Sequence, residues 1–172
     1  MEWKIIEYNY NGELIYEGEY KFGYRWNGKG FTSIGEYEYK IGEIFKGKVI
    51  IYDYFNHELF EGEYKNFQKY NGKLIEYFDD INHIVKRVIE IKEGNKTGNG
   101  KEYYGNEKLK YIGTYVDGKR DGKGKEFYEF FGYIKYDGEF KNDKRHGFGK
   151  EYDKHGTLLY EGEYSFGKRK EN

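Results

Sequence analysis

The sequence predicts an all-β protein built as an array of stacked β-hairpins, and three observations carry that prediction. The stretch "EYNYNGELIYEGEY" at 7–20 returns as "EYDKHGTLLYEGEY" at 151–164, with nine of fourteen positions identical and 144 residues, six times 24, between the copies. An aromatic-x-Gly-x-aromatic anchor recurs at Tyr16/Gly18/Tyr20, Phe60/Gly62/Tyr64, Tyr111/Gly113/Tyr115, Tyr136/Gly138/Phe140 and Tyr160/Gly162/Tyr164. Finally, 25 glycines interrupt nearly every window that a helix would need.

Composition supports a thin fold. Only 37% of the 172 residues are hydrophobic and 35% are charged, which would suit a disordered chain, yet 22% are aromatic. Tyrosine reconciles the two, because its ring packs while its hydroxyl stays near water. There is no cysteine and no proline, so disulfides and thiolate metal sites are excluded. No apolar run reaches the 18 or so residues of a spanning helix, and "MEWKIIEYNY" lacks a signal-peptide core. The expectation is a soluble or peripheral intracellular protein. Net charge is -1, with 11 basic and 15 acidic side chains in 1–86 against 19 and 16 in 87–172. That balance gives no global pull toward nucleic acid or anionic membrane.

Taken in order, 1–32 holds a leading half unit and one full repeat, ending in the pair Gly28/Gly30. Residues 33–96 are degenerate: the second glycine of the pair is lost at Gly47-Lys-Val49 and Gly72-Lys-Leu74, and Val88, Ile89 and Ile91 replace an anchor. Residues 97–172 are regular, with pairs Gly98/Gly100, Gly122/Gly124 and Gly147/Gly149, each followed by a Glu-aromatic segment such as "KEFY". In a strand, i, i+2 and i+4 share a face, so Tyr136, Gly138 and Phe140 line one side, and Asp137 and Glu139 the other. The central glycine leaves a slot in which a neighbouring repeat can lodge a ring. Asp117-Gly118 and Asn142-Asp143 are hairpin turn formers. One domain over 1–172 is expected, because stacked hairpins bury what one cannot.

"YDGEFKNDKRHGFGKEYDKHG" (136–156) and "YIGTYVDGKRDGKGKEF" (111–127) resemble MORN repeats, and the likeness extends over about six units. The resemblance implies an elongated, twisted single-layer antiparallel sheet. It also implies a non-enzymatic structural or interaction protein, since such arrays serve cytoskeletal and membrane-junction scaffolds. A virion-associated component is a further setting, because giant viruses of amoebae carry similar arrays.

The chemical inventory is thin. Neither Ser33 nor Ser165 lies in G-x-S-x-G, and His57, His83, His146 and His155 show no ligand spacing. The Gly-x-Gly pairs lack the third glycine and the helix of a phosphate loop. Carboxylate pairs such as Glu17/Glu19 and Glu161/Glu163 recur along the array, which marks a surface and not a catalytic cleft. No catalytic residue, metal or cofactor is implied.

Two surfaces remain. Lys119-Arg120, Lys144-Arg145 and Lys168-Arg169 follow equivalent turns and would lie along one edge, roughly 10 Å apart. They form a candidate edge for anionic lipid or an acidic protein, or a charged guard against strand pairing. The stretches 48–60 and 83–94, with Val49, Ile51, Val88, Ile89 and Ile91, are either a local core at a bend or a patch that docks a partner. Aromatics interleaved with lysine in "KEYYGNEKLKYIG" suggest base stacking, but matched Lys and Glu argue against nucleic acid. The expected partners are other proteins, a second copy in a homodimer, or an anionic membrane surface.

Overall fold

The computed structural model describes residues 4–40, 43–53, 56–79 and 81–170. Among these, fifteen strands form one antiparallel sheet in strict sequence order. A leading strand β1 (Lys4–Tyr8) is followed by seven hairpins. They are β2 (Leu14–Lys21) with β3 (Tyr24–Thr32), β4 (Gly35–Lys40) with β5 (Glu43–Asp53), and β6 (Glu58–Lys65) with β7 (Gln68–Tyr77). Next come β8 (Val85–Ile91) with β9 (Gly98–Tyr103), β10 (Leu109–Val116) with β11 (Lys119–Phe127), and β12 (Ile134–Lys141) with β13 (Lys144–Tyr152). The last is β14 (Leu158–Ser165) with the short β15 (Lys168–Arg169). The count exceeds the expected six because "six times 24" separates the first and seventh copies.

Local chemistry fixes the hairpins. At six of the tight turns among the described residues both central residues have positive φ, as a type I′ turn requires: Asn142 at 48° and Asp143 at 66°, or Asp117 at 51° and Gly118 at 77°. Asn, Asp and Gly tolerate that region, so the dipeptides set the register. The turns also stitch hairpins together: the backbone N–H groups of Gly118, Asp143 and Gly167 donate to the carbonyls of Lys96, Arg120 and Arg145 at 2.8–3.0 Å. On the opposite edge, Tyr104 and Tyr128 donate their hydroxyls to the carbonyls of Phe127 and Tyr152, each at 2.9 Å.

The two faces of the sheet differ. Anchor rings and glycines fill the inner face, where the core lies: Tyr16, Phe60, Tyr111, Tyr115, Tyr136, Phe140 and Tyr164 are buried. In the degenerate stretch aliphatic side chains take the same face. Phe60 stands opposite Leu74, and Ile91 opposite Gly72. The outer face alternates Lys with Asp or Glu, as in Lys125–Asp137 at 2.9 Å and Lys150–Glu161 at 3.0 Å.

The glycine slots are filled differently from expectation. Each anchor glycine receives the leading ring of its own repeat, not a neighbour's: Tyr136 folds over both Gly138 and Gly149, and a Cβ on Gly149 would sit 2.3 Å from its hydroxyl. A strand-borne ring two residues before a glycine lies down across the gap, and the glycine opposite widens that gap. The Tyr136 hydroxyl then reaches the Glu139 carbonyl at 3.1 Å, and Tyr160 reaches that of Glu163 at 3.1 Å.

Candidate interaction surface

The reclining tyrosines build an ordered row on the inner face. Tyr111 meets Tyr115 edge to face at 5.6 Å and Phe140 at 5.1 Å. Tyr136 meets Phe140 at 5.2 Å and Tyr164 at 5.1 Å, and Tyr160 continues the row to Tyr164 at 5.3 Å. Edge-to-face pairs suit the ring quadrupoles and fix each ring's orientation.

An arginine covers the leading tyrosine of four anchors, and Lys69 covers Phe60 in the fifth. The guanidinium of Arg120 lies 4.4 Å from the Tyr111 centroid, Arg145 4.5 Å from Tyr136, and Arg169 5.1 Å from Tyr160. Arg25 covers Tyr16 in the first hairpin at 4.8 Å. These cations favour the ring faces and keep their planar forks free for carboxylates.

The carboxylates come from the Glu-aromatic segments. Arg120 bonds both Glu102 and Glu126 (2.9 Å to the latter), Arg145 bonds Glu126 and Glu151 at 2.8 Å each, and Arg169 bonds Glu151 at 2.6 Å. An alternating ladder results, running Glu102, Arg120, Glu126, Arg145, Glu151, Arg169. The second anchor tyrosine joins it, with Tyr115 on Glu102 at 2.7 Å and Tyr164 on Glu151 at 2.9 Å. In the degenerate stretch Arg87 pairs with Glu76 at 2.7 Å, and Lys96 bridges Glu58 and Glu76. Burial pushes the Glu151 carboxyl up, but hydrogen bonds from Arg145, Arg169 and Tyr164 outweigh it and hold the carboxyl at about 2. Burial likewise opposes ionisation of Glu102, and bonds from Arg120 and Tyr115 again win. Burial raises the phenols of Tyr111, Tyr115 and Tyr136.

The structure therefore divides each Lys-Arg dipeptide between the two faces. Lys119, Lys144 and Lys168 are exposed and, among the described residues, have no ion pair. Arg120 and Arg145, with side chains 12% and 15% exposed, belong to the inner ladder and not to a free cationic edge. Arg169 is also spent on Glu151. Period-two alternation makes this unavoidable: Arg120, Gly122, Gly124 and Glu126 share a parity, and Lys119 does not. That Arg-x-Gly-x-Gly-x-Glu spacing was the signal that pairing Lys with Arg by adjacency missed.

The apolar set also divides. Val49, Ile89 and Ile91 are buried by their own chain, with Ile51 packed against them, so these side chains form core and not an accessible docking patch. Alternation places Val88 on the outer face, where it floors an open depression of about 410 Å³ with Tyr103 and Ile112. Sequence reasoning did not locate that depression.

The arrangement offers rigid recognition and little reactivity. The ladder carboxylates are committed to arginine, and the reclining hydroxyls to backbone carbonyls. His146 packs on Phe166, and His83 on Tyr52 and Tyr77. No group of three or more His, Asp or Glu among the described residues is placed to hold a metal ion. No helix among them is long and apolar enough to cross a membrane.

An open meander of hairpins with a lying tyrosine over paired glycines defines a β-hairpin repeat protein. The MORN repeat model matches residues 111–129, 136–157 and 160–170, so the regular hairpins of the chain are similar to MORN repeats. MORN repeats generally serve as scaffolds for protein or membrane binding and are typically non-enzymatic. No curated protein matches the chain.

Proposed function

We propose that this chain is a non-enzymatic scaffold whose extended sheet docks other proteins. The observation that carries this reading is surface in excess of size. The chain exposes 11288 Å², where a compact protein of its mass would expose about 8,900 Å². A fold that holds so much ordered surface, with its polar groups fixed in ladders, is organised for contact. A cytoskeletal lattice or a virion shell has the extent to match such a surface.

Crosslinked pull-down of the full chain from its native source tests this. Salt-resistant protein partners, with crosslinks on the strands of 98–169, support it. Recovery of no protein above a scrambled-bait control contradicts it.

A second reading rests on Lys119, Lys144 and Lys168, three unpaired ammonium groups at intervals of roughly 10 Å along the turn edge. They suit anionic phospholipid headgroups. Flotation with vesicles containing phosphatidylserine should then fall with salt and vanish when all three become glutamate. Binding that survives those substitutions would remove this reading.

A further inference from the structure

In a repeat array each unit is a control for the others, so a departure confined to one unit is not demanded by the fold. One departure is the connection 128–133. The connection at 78–84 is longer and exposes Phe78 and Ile81, and 9–13 exposes Tyr10; the corresponding connections at 9–13 and 153–157 are five residues long. Each is closed by its first side chain: Asn9 accepts from the N–H of Asn11 and Glu13, and Asp153 from that of His155 and Thr157. Residues 128–133 are longer and close through backbone alone, with Tyr128 N–H donating to Tyr133 O at 2.9 Å and Gly132 N–H to Tyr128 O at 3.0 Å. This leaves Phe130, Phe131 and Tyr133 at 74%, 52% and 53% exposure at the tip of the connection, with Phe131 tilted toward His155 at 6.5 Å.

The other departure is Ile112. At the matching outer-face position the other anchors carry Glu17, Glu61, Asp137 and Glu161, all acidic. Its cross-strand neighbour Lys101, set between Ile112 and Val88, is left without an ion pair among the described residues. The result is the depression of about 410 Å³ floored by Val88, Tyr103 and Ile112, with Lys101 on its rim. One unit thus gained an aromatic knob while another lost the charge that would have kept apolar groups away.

We propose that the two are the halves of one contact between copies of this chain: the Phe130/Phe131 tip of one molecule seats in the Val88/Ile112 depression of the next. Glu129, beside the tip, meets Lys101 on the rim. This rests on the protein-docking reading and names a second copy as a partner. The two surfaces differ, so the contact is head to tail and propagates into open chains or closes into a ring. The tip offers roughly 300 Å² of apolar surface, well under the ~1,000 Å² of a stable interface. Association is therefore weak, on the order of 10–100 μM.

Sedimentation equilibrium of the full chain, from about 1 μM to 1 mM, tests it. The parent mass should rise above the 20.7 kDa monomer with concentration. Phe130→Ser with Phe131→Ser should weaken association at least tenfold, and so should Ile112→Glu, which restores the acid of the other repeats and keeps the fold. Mixing the two variants should yield a 1:1 complex that grows no further, since each retains one competent surface. A parent that stays monomeric throughout, an Ile112→Glu variant that associates like the parent, or an inert mixture overturns the proposal. So does a monomeric parent that floats with vesicles in a Phe130- and Phe131-dependent way, which gives the tip to a lipid surface. Partners found by pull-down are unaffected by any of these failures, so the two readings fall separately.

Discussion

Arg145 meets three demands at once: it covers the Tyr136 ring, bonds Glu126 and bonds Glu151. With its side chain 15% exposed, much of its hydration is gone, and its removal leaves two half-buried carboxylates facing each other. Arg145→Met should cost about 2–3 kcal/mol in urea unfolding, whereas Lys144→Met beside it should stay within about 0.5 kcal/mol. The same ladder sets the acid limit. The Glu151 carboxyl is held at about 2 in the fold, against 4.5 ordinarily. As pH falls from about 4.5 toward 2 the unfolded chain takes up its proton first, so stability present above that window drains away within it. Glu151→Gln should flatten that part of the urea-midpoint profile, and an unchanged slope would locate the acid sensitivity elsewhere. At the alkaline end the buried phenols of Tyr111 and Tyr136 resist ionisation, so the unfolded chain ionises first and stability falls as pH rises above 10.

Among the elements, the strands and turns were legible, and the inner ladder was not. Asn142-Asp143 and Asp117-Gly118 announce their turns because few residues accept positive φ, and the anchor announces its strand because ring, glycine and ring must share a face. Arg120 and Glu126 gave no such notice, because charged residues on a short strand suit either face, and only the spacing through Gly122 and Gly124 assigns them. The degenerate stretch was readable as core or patch. Its resolution into buried Val49, Ile89 and Ile91 with outward Val88 needed the register of β5 through β8. Glycine roles separate at this scale too. Gly149→Ala would press a methyl against the Tyr136 ring and hydroxyl, and should cost about 3 kcal/mol or more by forcing that ring up. Gly156, at φ 86° with open space around its Cα, should lose only about 1 kcal/mol as alanine, from backbone strain alone. Equal losses in thermal unfolding would refute the reclining-ring packing.

For the molecule as a whole, every strand pairs with its sequence neighbours, so stability is a sum of repeat and nearest-neighbour terms and no central core closes the ends. That is why the composition looked poor for a folded chain: a single layer needs no deep interior, and tyrosines with arginines above them suffice. The proposed function follows the same economy, through surface. The most direct test of this account is small-angle X-ray scattering extrapolated to zero concentration. Fourteen strand spacings make a sheet about 65 Å long, and the monomer should give a radius of gyration of roughly 20 Å. A value near 16 Å, as a compact chain of 172 residues would give, would contradict the open array and the docking surface that depends on it.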